Sequence, residues 1–309
     1  MSSTTIIQTE TLSKTYKGKV QALNQLNLSV NRGEVFGYLG PNGAGKTTTI
    51  RLLLDLIRPT AGHARVFDID VNQDSRAIRA RIGYLPGELN LWDRRTAMQV
   101  IRYVGSVRGG VDMRYVQELA GRLQFDLTKK VRSYSTGNKR KLGLILALMN
   151  KPELLILDEP TSGLDPLMQQ TFYEIVRETR ADGRTVFLSS HILSEVQAIC
   201  DRVGILRGGV LQAVQRVDQL TQADFRNVTI RFREPVDGAR LRALTGISSL
   251  SIVDSTAQFQ LAGDFDPLLR AVQDLYIVSM EVEKPSLEEV FLKFYDKTPS
   301  SNHRAAQSA

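Results

Sequence analysis

The chain has 309 residues, 42% of them hydrophobic and 24% charged, enough apolar material for a large core and for two domains. Its net charge is +7, but lysines and arginines are scattered and no basic run exceeds three residues, so the charge is as suited to an anionic membrane leaflet as to nucleic acid. A single cysteine excludes an internal disulfide and a cysteine-based metal cluster, and no run of about 18 apolar residues exists to cross a bilayer.

The opening MSSTTIIQTE lacks the basic head and apolar core of a signal peptide, so the expected placement is cytosolic. From Ile6 to Val30 the pattern is β-like: TYKGKVQ marks a turn, and ALNQLNLSV alternates as a half-buried antiparallel strand would. Tyr16 lies in this region, an aromatic that could stack on a base ring beside a phosphate loop or pack on the small sheet.

Val35 to Ile57 supplies that loop. The apolar run VFGYL turns through GPNGAGKT into TTIRLLLDLI, which has helical spacing, and Gly40, Gly45, Lys46 and Thr47 fit G-x-x-x-x-G-K-[ST]. Backbone N–H groups over Gly40, Asn42, Gly43, Ala44 and Gly45 are expected to face a polyphosphate, with Thr48 just beyond them and the helix N-terminus adding its positive end. Lys46 brings a mobile charge to the β and γ phosphates, and Thr47 a hydroxyl to Mg²⁺.

Pro59 to Gly62 end that helix, and ARVFDID reads as a further strand. SRAIRARIGYLPGELNLW passes from a basic helix, with Arg76, Arg79 and Arg81 on a solvated face, into a strand over Ile82 to Leu85 that Pro86 and Gly87 break. Arg95 to Gln124 is helical with an interruption at Gly109-Gly110, a helical insert before the next chemical motif.

That motif is SYSTGNKRKLGLILALMNKPELLILDEPTSGLD. Gly137 to Asn150 has helical spacing, and Leu154 to Leu157 is the continuous apolar run of a buried parallel strand. Asp158 and Glu159 end it, at the edge where open α/β sheets bind ligands. Asp158 is placed to hold Mg²⁺ through water, and Glu159 to orient or deprotonate an attacking water. A helix over Leu167 to Ala181 leads to a second buried strand, Thr185 to Leu188, whose end puts His191 beside the γ phosphate. Cys200 shares a helical face with Val196, Ile199 and Val203, as a buried inert thiol would, and Gly204 to Val214 reads as a closing hairpin.

From Asn227 onward the order is β-α-β-β-α-β, a ferredoxin-like arrangement, followed by a helix at PSLEEVFLKFY with Ser286 and Glu289 as a capping box, then a polar tail. No metal or nucleophile constellation occurs in this part, which suits packing, dimer contact or a regulatory ligand site.

Taken together, the motifs resemble those of the nucleotide-binding subunits of ATP-binding cassette transporters over about residues 5 to 217. GPNGAGKT corresponds to Walker A, LLILDE to Walker B, YSTGN (Tyr134 to Asn138) to the LSGGQ signature, SGLD (Ser162 to Asp165) to the D-loop, and His191 to the switch histidine. The resemblance implies an α/β P-loop NTPase domain with a RecA-like core, an antiparallel β subdomain and a helical insert, over residues 1–217. A linker at 218–226, an α+β ferredoxin-like domain with its terminal helix at 227–297 and a disordered tail at 298–309 complete the expected organisation.

It further implies ATP and Mg²⁺ as cofactors, with two subunits sandwiching two ATP molecules. Tyr16, the Walker A residues and Thr48 would hold ATP from one subunit, and Ser135 with Gly137 would close from the other, which is a second copy or a paralogous subunit. Thr47 and Asp158 would serve the metal, Glu159 and His191 the chemistry, and Asp165 the coupling of the two sites. A separate multi-span permease would dock near Gly87 to Trp92 on a patch of Leu89, Leu91 and Trp92, holding the chain at the cytoplasmic face of the membrane; Trp92 in the core is the alternative. No nucleic-acid partner is expected.

Two departures stand out. Tyr134, Thr136 and Asn138 replace the usual Leu, Gly and Gln of the signature, and Gly87, followed by Glu88, stands where a metal-contacting glutamine is common. PSLEEVFLKFY is similar to the endings of ATPases that export drugs, antibiotics or lipids, which tilts the expected function to export. A soluble cassette acting on nucleic acid or ribosomes and a nucleotide-gated subunit with little turnover are the competing readings.

Overall fold

In the computed structural model, which describes residues 4–220 and 225–284, the chain falls into two units, Met1–Val217 and Asp218–Ala309. The first begins with two long strands, β1 (Thr5–Thr15) and β2 (Gln21–Asn31), paired antiparallel. Register slips near Thr11 and Gln25, both at positive φ, bend the pair into bulges. β3 (Val35–Leu39) leads through the glycine-rich loop into α1 (Lys46–Leu53). β4 (Ala61–Val66) and the short β5 (Ile69–Asp70) complete an antiparallel sheet of order β2-β1-β4-β5. The expected strand ARVFDID is thus a hairpin: Phe67 and Asp68 both take positive φ (57° and 64°) and turn the chain back on itself.

α2 (Ser75–Ala80), capped by the Asp74 carboxylate, precedes β6 (Ile82–Leu85). The helical insert consists of α3 (Ala97–Val107), opened by a Thr96/Gln99 capping box, and α4 (Met113–Arg122). Arg81 is not merely solvated: it forms a bidentate pair with Glu153 at 2.6 and 2.7 Å and lies 3.8 Å from the Phe67 ring centroid. α5 (Thr136–Leu148), β7 (Leu154–Asp158), α6 (Pro166–Ala181), β8 (Thr185–Ser190), α7 (Leu193–Ile199), β9 (Arg202–Arg207) and β10 (Val210–Arg216) follow.

Every residue of β3, β7 and β8 is buried, as continuous apolar runs covered on both faces require. They sit side by side in a six-stranded sheet of order β10-β9-β3-β8-β7-β6, parallel throughout except for the β9–β10 hairpin. Tyr38, Phe36, Phe187 and Ile156 on this sheet share one core with Ile50 of α1 and with Leu12 and Leu26 of the antiparallel sheet. Cys200 packs at the end of α7 against Gly37 of β3; a methyl group on that glycine would come within 2.9 Å of the sulfur. Burial raises the thiol well above its ordinary pKa, which suits an inert packing role.

After a helical turn, α8 (Val217–Leu220), the second unit comprises β11 (Phe225–Phe232), α9 (Ala239–Arg242), β12 (Ile247–Val253), β13 (Thr256–Ala262), α10 (Asp266–Val272) and β14 (Ile277–Glu283). Its sheet has the order β12-β13-β11-β14, antiparallel throughout, which is the split βαβ topology. Val228, Ile230, Phe259, Leu241 and Leu268 form a core of its own. β11 begins at Phe225, inside the stretch expected as linker, while the terminal helix at PSLEEVFLKFY and the tail lie outside the described residues.

Candidate nucleotide site

Strand order builds the site. β3, β8 and β7 are adjacent and parallel, so their carboxyl ends share one edge, and the loop, His191 and Glu159 follow those three ends. The loop turn is possible only with glycine at its tight points. Gly45, at φ 111°, precedes α1, and a Cβ there would lie 2.5 Å from the Ala22 carbonyl. Gly40 is as confined, with the Leu206 carbonyl 2.4 Å from the place of its Cβ.

Lys46, 6% exposed, folds back over this turn. Its ammonium donates to the carbonyls of Gly40 (2.6 Å) and Pro41 (3.3 Å) and lies 3.1 Å from Glu159 Oε1. The other carboxylate oxygen of Glu159 is 2.6 Å from His191 Nδ1. One carboxylate therefore bridges the loop lysine and the histidine. Glu159 itself sits at φ 52°, its N–H held by the Ser189 carbonyl (3.2 Å) and hydroxyl (3.3 Å).

Beside this cluster the Thr47 hydroxyl donates to Asp158 Oδ2 at 2.8 Å, and the Ser189 hydroxyl donates to Asp158 Oδ1 at 2.5 Å. Asp158 is wholly buried. A hydroxyl and a carboxylate converging from two elements form a hard oxygen donor set, and two protein oxygens leave room for the waters and phosphate oxygens that Mg²⁺ retains. No group of three or more His, Cys, Asp or Glu among the described residues could alone hold a metal. The residues present therefore fit Mg²⁺ shared with a polyphosphate.

Gly87 lies against this pair: a Cβ there would be 3.2 Å from Asp158 Oδ2. The Glu88 side chain is exposed. Tyr84, on β6, is pushed up to about 12 by burial and then by the Asp158 carboxylate, so it stays a neutral neighbour. Tyr16 stands at the margin, 37% exposed, its hydroxyl 3.4 Å from that of Thr48 and its ring 5.4 Å from the Lys14 ammonium.

The remaining expected site residues are not brought to this cluster within one chain. Ser135 caps α5, accepting from the Asn138 N–H at 3.3 Å, and is exposed. Gly137 packs on the SGLD turn, where the Gly163 carbonyl is 2.5 Å from the place of a Cβ. Asp165 caps α6, accepting from the Met168 N–H at 3.0 Å. No hydrogen bond among the described residues joins these three to Lys46, Glu159 or His191.

The signature's departure at Tyr134 has a structural reason. The ring packs 4.9 Å from Phe125, and the hydroxyl donates to the carbonyls of Asp126 and, at 3.2 Å, Lys129. The apolar patch near Trp92 is smaller than expected. Leu89 is half-buried over Gly143 of α5, where a Cβ would come within 2.9 Å of it, and Leu91 is half-buried too. Trp92 is outside the core, 52% exposed and edge-on to Tyr103 at 5.2 Å. With Arg95, Gln99 and Val100 they line a groove of about 410 Å³.

Sequence reasoning missed Ser189, Arg140 and Glu195. Ser189 could have been found as the residue level with Asp158 on a parallel neighbour. Arg140 lies in the basic run Lys139 to Lys141, whose composition reads as solvated, yet it is 3% exposed. Glu195 lies in the first turn of α7 and is 1% exposed.

The ABC transporter family matches residues 23–162, and the family described as ATP-binding protein DrrA1-3-like, C-terminal domain, matches residues 221–295. The chain is 36% identical over 306 residues to the daunorubicin resistance ATP-binding protein DrrA3 of Streptomyces coeruleorubidus, covering 93% of this chain and 95% of that one. It is 41% identical over 216 residues to the bacitracin transport ATP-binding protein BcrA of Bacillus licheniformis, 67% of this chain and 68% of the relative. In fold it is similar to the dimeric cassette MJ0796 in a post-hydrolysis state bound to ADP and Pi, with a TM-score of 0.62 and 23% identity over 69% of this chain and 99% of that one. The loop, the two carboxylates and the histidine at one sheet edge agree with these likenesses, and the chain belongs to the ATP-binding subunits of ABC transporters.

Proposed function

We propose that this chain hydrolyses ATP, in a pair with a second such subunit, to drive export of a drug, antibiotic or lipid through a separate permease. The observation that carries the reading is the Glu159 carboxylate held between Lys46 Nζ at 3.1 Å and His191 Nδ1 at 2.6 Å, beside the Thr47–Asp158 pair. Phosphoryl transfer to water needs charge neutralisation and an aligned water more than covalent chemistry. A γ phosphate reaching the loop competes with Glu159 for Lys46. The lysine turns to the phosphate and Glu159 is released to accept the proton of the attacking water. His191 keeps its contact with that carboxylate and offers its other ring nitrogen to the phosphate oxygens. Thr47 and Asp158 would hold Mg²⁺, which when bound offsets the charge of the β and γ oxygens.

Ser135, exposed and apart from this cluster, suits closure onto the ATP of a partner subunit. Asp165 and the SGLD turn that supports Gly137 suit communication across the same interface. The cassette MJ0796 is dimeric with ADP and Pi bound, and the names of DrrA3 and BcrA support the lean to export. No helix among the described residues is long and apolar enough to cross a membrane. The relatives' names as transport and resistance ATP-binding proteins support a separate permease, with the groove at Trp92 as its docking place and the cytoplasmic membrane face as the site of work.

Glu159→Gln tests the reading. Turnover is expected to fall on the order of 100-fold or more, as loss of a general base does, and size-exclusion chromatography with ATP and Mg²⁺ should show a trapped dimer. Parental turnover in the variant sinks the assignment.

A further inference from the structure

Arg140 projects from the first turns of α5 into the interior, away from the lysines on either side of it in sequence. Its guanidinium has five N–H donors, and each use of them ends on a main-chain carbonyl. Nε donates to Pro160 at 3.2 Å. Nη1 donates to Pro86 at 2.7 Å and to Gly87 at 3.0 Å, and Nη2 to Asp158 and Glu159. These carbonyls come from the ends of β6 and β7, two segments more than 70 residues apart in the chain.

The left-handed conformation at Glu159 explains how so many can converge. In an extended strand successive carbonyls point to opposite sides; at φ 52° the chain swings so that the Asp158 and Glu159 carbonyls reach the same group. A non-glycine residue there is strained unless its surroundings hold it. β8 holds the Glu159 N–H, and Arg140 holds its carbonyl.

We infer that Arg140 is a positioning residue: its guanidinium sets the Glu159 backbone so that the carboxylate faces the phosphate site, and ties that geometry to the Pro86-Gly87 turn and to the helix Ser135 caps. The inference rests on Glu159 acting on the attacking water. Only a planar fork satisfies carbonyls on three sides; a lysine keeps the charge but offers three donors from one point.

The test is steady-state turnover of the full chain, at saturating chain concentration, for Arg140→Lys and Arg140→Gln beside Glu159→Gln. For Arg140→Lys, kcat should fall on the order of 10- to 100-fold, the range of a small misplacement of a reacting group. ATP KM and the Kd from ATP titration should stay within about three-fold, because no Walker A residue bonds to Arg140. Arg140→Gln, which lacks the charge and the fork, should fall at least as far. A kcat within about two-fold of parental for both variants, with Glu159→Gln inactive, overturns the inference and spares the role of Glu159. Kd rising in step with the loss of kcat, or both variants failing to fold, overturns it by making Arg140 a general prop. An active Glu159→Gln shows instead that the underlying reading failed.

Discussion

Glu195 is 1% exposed, and its Oε2 accepts from the Ser190 hydroxyl at 2.5 Å, directly before His191. Burial, opposed in part by that hydroxyl and by the Thr161 hydroxyl, pushes its carboxyl up from 4.5 to about 7; Glu159 adds to the rise and His191 works against it. Below pH 4.5 the group is protonated in folded and unfolded chains alike. Between 4.5 and about 7 the unfolded chain ionises while the folded one keeps its proton, so stability falls as pH rises; above 7 the buried charge weighs fully on the folded state. Glu195→Gln, neutral throughout, should be more stable than the parent at pH 8, on the order of 3 kcal/mol, with the difference fading towards pH 4. Urea unfolding followed across that range checks it. The same pH slope in both chains defeats the argument.

Among elements, α5 depends most on its approach. The segment before it is pinned by Tyr134 through the ring contact to Phe125 and the two carbonyls the hydroxyl reaches. Tyr134→Leu, which restores the usual signature residue, should lower stability by about 1–2 kcal/mol for the lost hydrogen bonds and ring contact. ATP affinity should be unaffected, because Ser135 and its helix cap are retained; thermal melting with an ATP titration checks both. β7 and β8 were legible because their apolar runs have a single reading, and Asp158, Glu159 and His191 followed from where such strands end. The break in ARVFDID was not, since Phe67 favours a strand by composition and only the pairing of β4 with β5 requires it at positive φ. Arg140 was illegible for a related reason. Its acceptors lie on two segments distant in sequence, and a charged residue between two lysines carries no local sign of burial. Leu89 and Trp92, three residues apart, part ways in a turn with no period: one covers Gly143 while the other faces solvent.

At the scale of the molecule, ATP chemistry inside the first unit must reach a membrane partner through surface contact. The groove at Trp92 and Tyr103 offers two exposed aromatic rings at right angles beside Arg95, and large aromatics with arginine are the residue types that anchor interfaces. Its loop leads back in five residues to Gly87, whose carbonyl is held by Arg140 and whose backbone lies against Asp158, so a push on the groove has a short covalent route to the Thr47–Asp158 pair. Trp92→Asp removes the apolar anchor and leaves a carboxylate to be buried on docking. Co-purification with the permease should weaken about ten-fold or more, the scale of a lost interface hot spot. Turnover of the chain without permease should stay at the parental level, because Trp92 makes its ring contact to Tyr103 and none to Lys46, Glu159 or His191. Undiminished co-purification moves the docking surface elsewhere on the insert; lost turnover in the chain alone makes Trp92 a structural prop of the site.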